Sequence, residues 1–130
     1  LGVSAEDQAT FDERVPVLLD TPAAVRWVSL EPLLGHIDLI GKDEQGSALH
    51  AFQGRPRLDW GVVGGESGSG FRQMEIEDAR YIIRQFTDAG VPLFVKQDNG
   101  LRPGMKGRFT DEEWALKNYP SIPSTSGSTK

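Results

Sequence analysis

Short apolar runs in this chain break off abruptly into polar residues, and the break recurs. Val25-Arg26-Trp27-Val28-Ser29-Leu30 runs into Glu31-Pro32, Trp60-Gly61-Val62-Val63 into Gly64-Gly65-Glu66-Ser67, and Val91-Pro92-Leu93-Phe94-Val95 into Lys96-Gln97. Runs this short, rich in β-branched and aromatic residues and bounded by glycine or proline, predict buried β-strands over 25–30, 59–63 and 91–95. Leu1-Gly2-Val3-Ser4-Ala5 reads as the end of another strand, with Glu6-Asp7 following in the same manner.

Between the strands the period changes. Phe11, Val15, Leu18 and Leu19 recur at helical spacing, with Asp12, Glu13 and Arg14 on the other face. This predicts a helix over 8–20 that Thr21-Pro22 stops. Pro16 has no N–H to give to the carbonyl four residues back, so it is expected to kink this helix or to begin a second one. A stripe of Ile76, Ala79, Ile83 and Phe86 predicts the clearest helix of the chain. Glu75, Glu77 and Asp78 complement its dipole and Gly90 closes it. Residues 59–97 therefore read as a strand-loop-helix-strand unit whose right-handed crossover leaves the strands parallel. Residues 33–40 are too apolar for a free loop and predict a packed turn or a short helix. Residues 41–58 are polar and irregular, as in a variable surface insertion. Residues 110–114 can form one short capped helix, and 121–130, rich in Ser, Thr, Pro and Gly, are expected to be a disordered tail.

Taken together the pattern predicts an α/β fold over residues 1–120: a partial (β/α) barrel of about four parallel strands with crossover helices. Ligands of such architectures sit beyond the carboxyl ends of the strands, which is where the polar endings fall. At 130 residues the chain has the size of one domain, with 38% hydrophobic residues and a formal charge of −5. Its basic residues are scattered, so nucleic-acid binding is unsupported. There is no run of about 18 apolar residues for a membrane span and no basic-then-apolar leader, which makes the cytoplasm the expected location. Cysteine is absent and the imidazoles are limited to His36 and His50. Thiol nucleophiles and nitrogen- or sulfur-rich metal sites are thereby excluded for this chain. An oxygen-ligated Mg²⁺ on Glu31, Glu66 and Asp7 competes with the commoner state of solvated carboxylates, and no metal ligand is assigned.

Gly64-Gly65-Glu66-Ser67-Gly68-Ser69-Gly70 is the strongest local feature. Glycines straight after a strand let backbone come close to a ligand, and unpaired amides there can cradle an anion. The bland alternative is a flexible connection, and the spacing matches neither the dinucleotide nor the phosphate-loop motif. Glu31, Glu66 and Lys96 are the candidate catalytic residues. The carboxylates can serve as acid and base, bind an amine or hold a cation, and Lys96 can steady an anion or act as base or Schiff-base nucleophile. Against this stands an ion pair of Lys96 with Glu31 or Glu66, or plain solvation. Ser4, Gly64, Gly65, Ser67, Arg72 and Gln97 are the candidate substrate- or cofactor-binding residues, Arg72 being suited to clamp a carboxylate or phosphate. Trp27 and Trp60 read most simply as core, and His36 and His50 receive no role.

An ordered series of blocks carries a resemblance. It comprises Leu1-Gly2-Val3-Ser4-Ala5-Glu6-Asp7-Gln8, Arg14 with Pro16 and Leu18-Leu19, Arg26-Trp27-Val28-Ser29-Leu30-Glu31-Pro32-Leu33-Leu34-Gly35, Asp59-Trp60-Gly61-Val62-Val63-Gly64-Gly65-Glu66-Ser67-Gly68 with Arg72, and Phe94-Val95-Lys96-Gln97. Over residues 1–120 the chain resembles the carboxyl-terminal half of a phage-associated family (phage gp protein) of unknown function. That family looks like a radical S-adenosylmethionine barrel with a three-cysteine motif near its amino end. The resemblance implies S-adenosylmethionine and a [4Fe–4S] cluster for the full-length family, and neither held by this chain. Radical proteins of this type often carry Gly-Gly-Glu early in the barrel; here Gly64-Gly65-Glu66 comes late, and the role is not carried over. The chain is then expected to begin inside a larger domain, as a fragment, a truncated product or half of a split protein. A missing amino-terminal half or a partner chain would cover its open edge.

The expected function is the substrate-side part of a radical-type barrel acting on an unidentified small molecule, not self-sufficient for radical chemistry. The alternative is a non-catalytic module of phage or mobile-element origin that binds a small ligand or a protein. A cluster-free hydrolase or lyase using Glu31 and Lys96 ranks last, because no nucleophile and base stand at a recognised spacing.

Overall fold

In the computed structural model, which describes residues 1–121, the expected strands form as β1 (Gly2–Ser4), β2 (Trp27–Leu30), β3 (Trp60–Gly64) and β4 (Leu93–Gln97). They make one open sheet in the order β1-β2-β3-β4, every neighbouring pair parallel. The fold is α/β. The tail expected at 121–130 lies, apart from Ser121, outside the described residues.

Helix α1 (Gln8–Leu19) links β1 to β2 and begins at a capping box. The Thr10 amide donates to the Asp7 carboxylate at 2.9 Å, and the Thr10 hydroxyl accepts from the Asp7 amide at 3.2 Å. Pro16 stays inside one continuous helix. The carbonyl it leaves unbonded belongs to exposed Asp12, where water can take the missing donor's place. Helix α2 (Ile76–Ala89) links β3 to β4 and ends at Gly90, whose φ of 70° is the left-handed conformation that suits glycine. Its buried residues are Ala79, Ile82, Gln85 and Phe86. Phe86 presses on the sheet so closely that a Cβ on Gly61 would lie 2.4 Å from its ring.

The β2–β3 crossover is built differently. Its regular structure is a single three-residue 3-10 turn, Glu44–Gly46, and side chains replace the packing surface of a helix. Leu33, Ile37, Leu39, Ala48, Leu49 and Leu58 are all buried in the common core. Residues 41–58 are thus not uniformly a surface stretch: polar ends flank a buried centre at Ser47, Ala48 and Leu49. Gln85 of α2 ties the crossover down, accepting from the Leu39 amide at 2.7 Å and donating to the Ile37 carbonyl at 3.0 Å.

Strand alternation sorts the sheet into unlike faces. Val28, Leu30, Val63, Leu93 and Val95 join the core with the helices. Trp27, Ser29, Trp60, Val62, Phe94 and Lys96 line a pocket on the opposite face. Trp27 and Trp60, expected as core, are therefore half-buried on the side opposite α1 and α2. Beyond the short helix α3 (Asp111–Trp114) the chain runs back antiparallel along the outer edge of β4. The Val95 amide donates to Leu116 at 2.8 Å and the Asn118 amide to Leu93 at 3.1 Å.

Candidate functional site

The pocket on the face opposite α1 and α2 encloses about 560 Å³, with Trp114 of α3 at one side. Its walls are aromatic: Trp27 and Trp60 are register partners in β2 and β3, with ring centroids 5.2 Å apart. Tyr119 stacks on Trp60 at 5.9 Å and meets Phe94 at 5.4 Å. The Trp60 indole N–H donates to the Asn118 carbonyl at 2.7 Å, so the carboxyl-terminal segment is fastened over the sheet.

Glu31 and Lys96 line the same pocket at the carboxyl ends of β2 and β4. Lys96 Nζ lies 3.0 Å from Glu31 Oε1, the ion pair that competed with the catalytic reading. Gln97 Nε2 donates to Glu31 Oε2 at 3.1 Å and to the Gly65 carbonyl at 2.8 Å, while its Oε1 accepts from the Gly104 amide at 2.9 Å. One buried amide thus joins the tips of β2, β3 and β4 and holds Glu31 at the rim. A second cation, Lys117, lies 3.4 Å above the centroid of the Trp114 ring and 5.0 Å from that of Phe94. Its Nζ donates to the Val95 carbonyl. Burial pushes its pKa below the ordinary lysine value, and among the described residues it has no acidic partner.

Glu66 is elsewhere engaged. Arg72 donates to its carboxylate through the backbone amide at 2.7 Å, Nε at 3.0 Å and a terminal nitrogen at 2.7 Å. The side-chain bonds from Arg72, followed by its backbone amide, hold the Glu66 carboxyl down at about 2. The expected pairing of Glu31 with Glu66 is therefore replaced by separate ion pairs, and the clamp offered by Arg72 closes on its own chain. Two of the glycine-loop amides expected to cradle an anion are spent on backbone. Gly65 donates to Gln97 at 3.0 Å and Gly68 to Gly100 at 2.9 Å, and Ser67 bridges Gly100 in parallel. Gly64 accepts from the Leu33 amide at 2.9 Å. At Gly65 a Cβ would stand 2.4 Å from the Asn99 nitrogen, so the glycine serves the approach of one loop to another. Ser4 pairs in register with Ser29, but its side chain is exposed and does not line the pocket.

The aromatic walls and Lys117 were missed in the sequence. Their signal is the alternation Trp27-Ser29-Glu31, Trp60-Val62 and Phe94-Lys96, which marks one face with rings that end in charge. A second omission is Asp98, whose side chain is 3% exposed and pairs bidentately with Arg108 at 2.9 and 2.7 Å. Burial raises its pKa, but the bonds from Arg108 and the Asn99 amide outweigh burial and leave it below the ordinary value. Asp98 is saturated and its role is to lock the loop after β4. Cysteine is absent from the chain, and no group of three or more His, Cys, Asp or Glu residues among those described is placed to hold a metal ion.

Compared with known proteins, residues 1–117 match the family described as "Protein of unknown function (DUF5131)", and the chain belongs to that family. No curated protein and no solved structure matches it.

Proposed function

We propose that this DUF5131-family chain is the substrate-side wall of a radical S-adenosylmethionine-type barrel of phage origin, working in the cytoplasm on a small molecule. The carrying observation is the sheet itself. Parallel strands in sequential order pack helices on one face and leave on the other an aromatic pocket, ended by Glu31 and Lys96. A barrel wall has this construction, the face away from the crossover helices being the interior.

The residues of this chain do not fit the cofactor that the reading implies. No cysteine is present to ligate a [4Fe–4S] cluster. Glu66 of the Gly64-Gly65-Glu66 run is closed on Arg72 and has no free oxygen aimed at an amino group. The work left to these residues is binding: rings hold an apolar body, Glu31 and Lys96 meet a polar end, and Gln97 keeps both strand tips in place. Because residues 116–118 occupy the edge of β4, an amino-terminal half or a partner chain would add at the outer edge of β1.

Sequencing the DNA upstream of the coding region tests this. An uninterrupted frame with three closely spaced cysteines is expected; an in-frame stop with no such segment overturns it. A second reading, a non-catalytic binding module, draws support from the mutual neutralisation of Glu31 and Lys96. It predicts ligand-dependent thermal stabilisation without turnover.

A further inference from the structure

We infer that the pocket takes a planar aromatic anion and that Lys117 receives its charge. The inference deepens the proposed function, resting on its reading of the aromatic face as a ligand wall but not on any barrel chemistry.

Charge is the first argument. The chain carries a net −5, yet among the described residues the pocket sets Lys96 and Lys117 against Glu31. Lys96 is matched by Glu31 at 3.0 Å. Among the described residues Lys117 meets the Val95 carbonyl and the faces of Trp114 and Phe94, leaving ammonium protons to donate. An incoming anion would offset by its charge the desolvation that depresses the Lys117 pKa and add a charge-assisted bond, whereas a cation would meet a local excess of its own sign.

Shape is the second. The Trp27 and Trp60 rings stand 5.2 Å apart, tilted by 48°, and Tyr119 stacks on Trp60 at 5.9 Å; walls that offer both ring faces and ring edges favour an aromatic body, which stacks on one and meets another edge-on. A volume of about 560 Å³ lies within the range of roughly 300–1,000 Å³ usual for small-molecule sites. The ring would lie along the β2 and β3 wall, with its acid group turned toward Lys117.

Matched probes on one ring test both arguments: naphthalene-2-carboxylate, naphthalene-2-methanol and naphthalene-2-methylamine, titrated into the full chain by calorimetry. The carboxylate is expected to bind at least about tenfold more tightly than the alcohol, and the amine most weakly. Lys117→Gln should erase the difference between carboxylate and alcohol, and Lys117→Arg should restore most of it. Circular dichroism of both variants establishes that each is folded, and Phe94→Ala should weaken all the probes that bind. Equal affinity of acid and amine, or a Lys117→Gln chain that keeps the preference, overturns the anion assignment while leaving the pocket as a ligand wall. If no probe binds, or Phe94→Ala changes nothing, the pocket inference falls, whatever the upstream frame contains.

Discussion

Gln97 shows how much of the site rests on single side chains. Its amide nitrogen faces Glu31 and the Gly65 carbonyl, and its oxygen faces the Gly104 amide. Gln97→Glu would set a carboxylate against those acceptors, so a loss of about 1–3 kcal/mol in urea unfolding is expected. Gly65→Ala should cost a similar amount, about 1–3 kcal/mol, since the new methyl meets backbone at 2.4 Å. Acid sensitivity belongs to this scale too. Glu66 has its folded pKa depressed from 4.5 to about 2 and Asp98 is depressed in the same direction. Their stabilisation is therefore present above the unfolded values and is lost as pH falls through the folded ones. Asp98→Asn should flatten that acid limb and cost about 2 kcal/mol at neutral pH, less than a fully buried pair because the Arg108 side chain is 39% exposed. Thermal melts from pH 7 to 2 measure both. Strand-end positions were legible because the apolar runs stop there. Of their partners, the Lys96–Glu31 pair was among the readings, but the Glu66–Arg72 pair was not: nothing in the spelling of Gly64-Gly65-Glu66 says that Arg72 will fold back on it.

Among the elements, α2 was the most legible and the β2–β3 crossover the least. The stripe through Ala79 and Phe86, the early acids and Gly90 all favour one helix, and local preference agreed with tertiary packing. Residues 31–59 show no such period because no helix covers that part of the sheet. Single side chains such as Leu49 and Leu58 reach the core from irregular backbone, and a polar average conceals them. Gln85 is the residue that makes this arrangement hold. In Gln85→Leu the Leu39 amide and the Ile37 carbonyl lose their partner inside the core, at about 1–3 kcal/mol for each group left unsatisfied. Hydrogen exchange should quicken at Leu39 and Ala48, whose mutual backbone bond of 2.8 Å loses its support, while the amides of β4 stay slow.

At the scale of the whole molecule, the sheet is shielded unequally. Helices α1 and α2 and the crossover bury one face, whereas among the described residues the aromatic face is covered at one side, by Trp114 of α3 and the segment that folds back after it. That segment is held by the Val95–Leu116 and Asn118–Leu93 backbone bonds and by the Trp60 indole bond to Asn118. Asn118→Pro removes the donor to Leu93 and disfavours the extended pairing at this edge. Tyr119 should then leave Trp60, on which it stacks at 5.9 Å, and Phe94, which it meets at a tilt at 5.4 Å. The expected outcome is a folded chain with red-shifted tryptophan emission and increased binding of an apolar dye, because the rings lose their cover while the opposite core is untouched. The free edge of β4 should also promote association at raised concentration, visible by light scattering. Unchanged emission would mean that the segment contributes nothing to shielding the face. Global unfolding would mean that the two faces are not independent, and that the aromatic side belongs to the core after all.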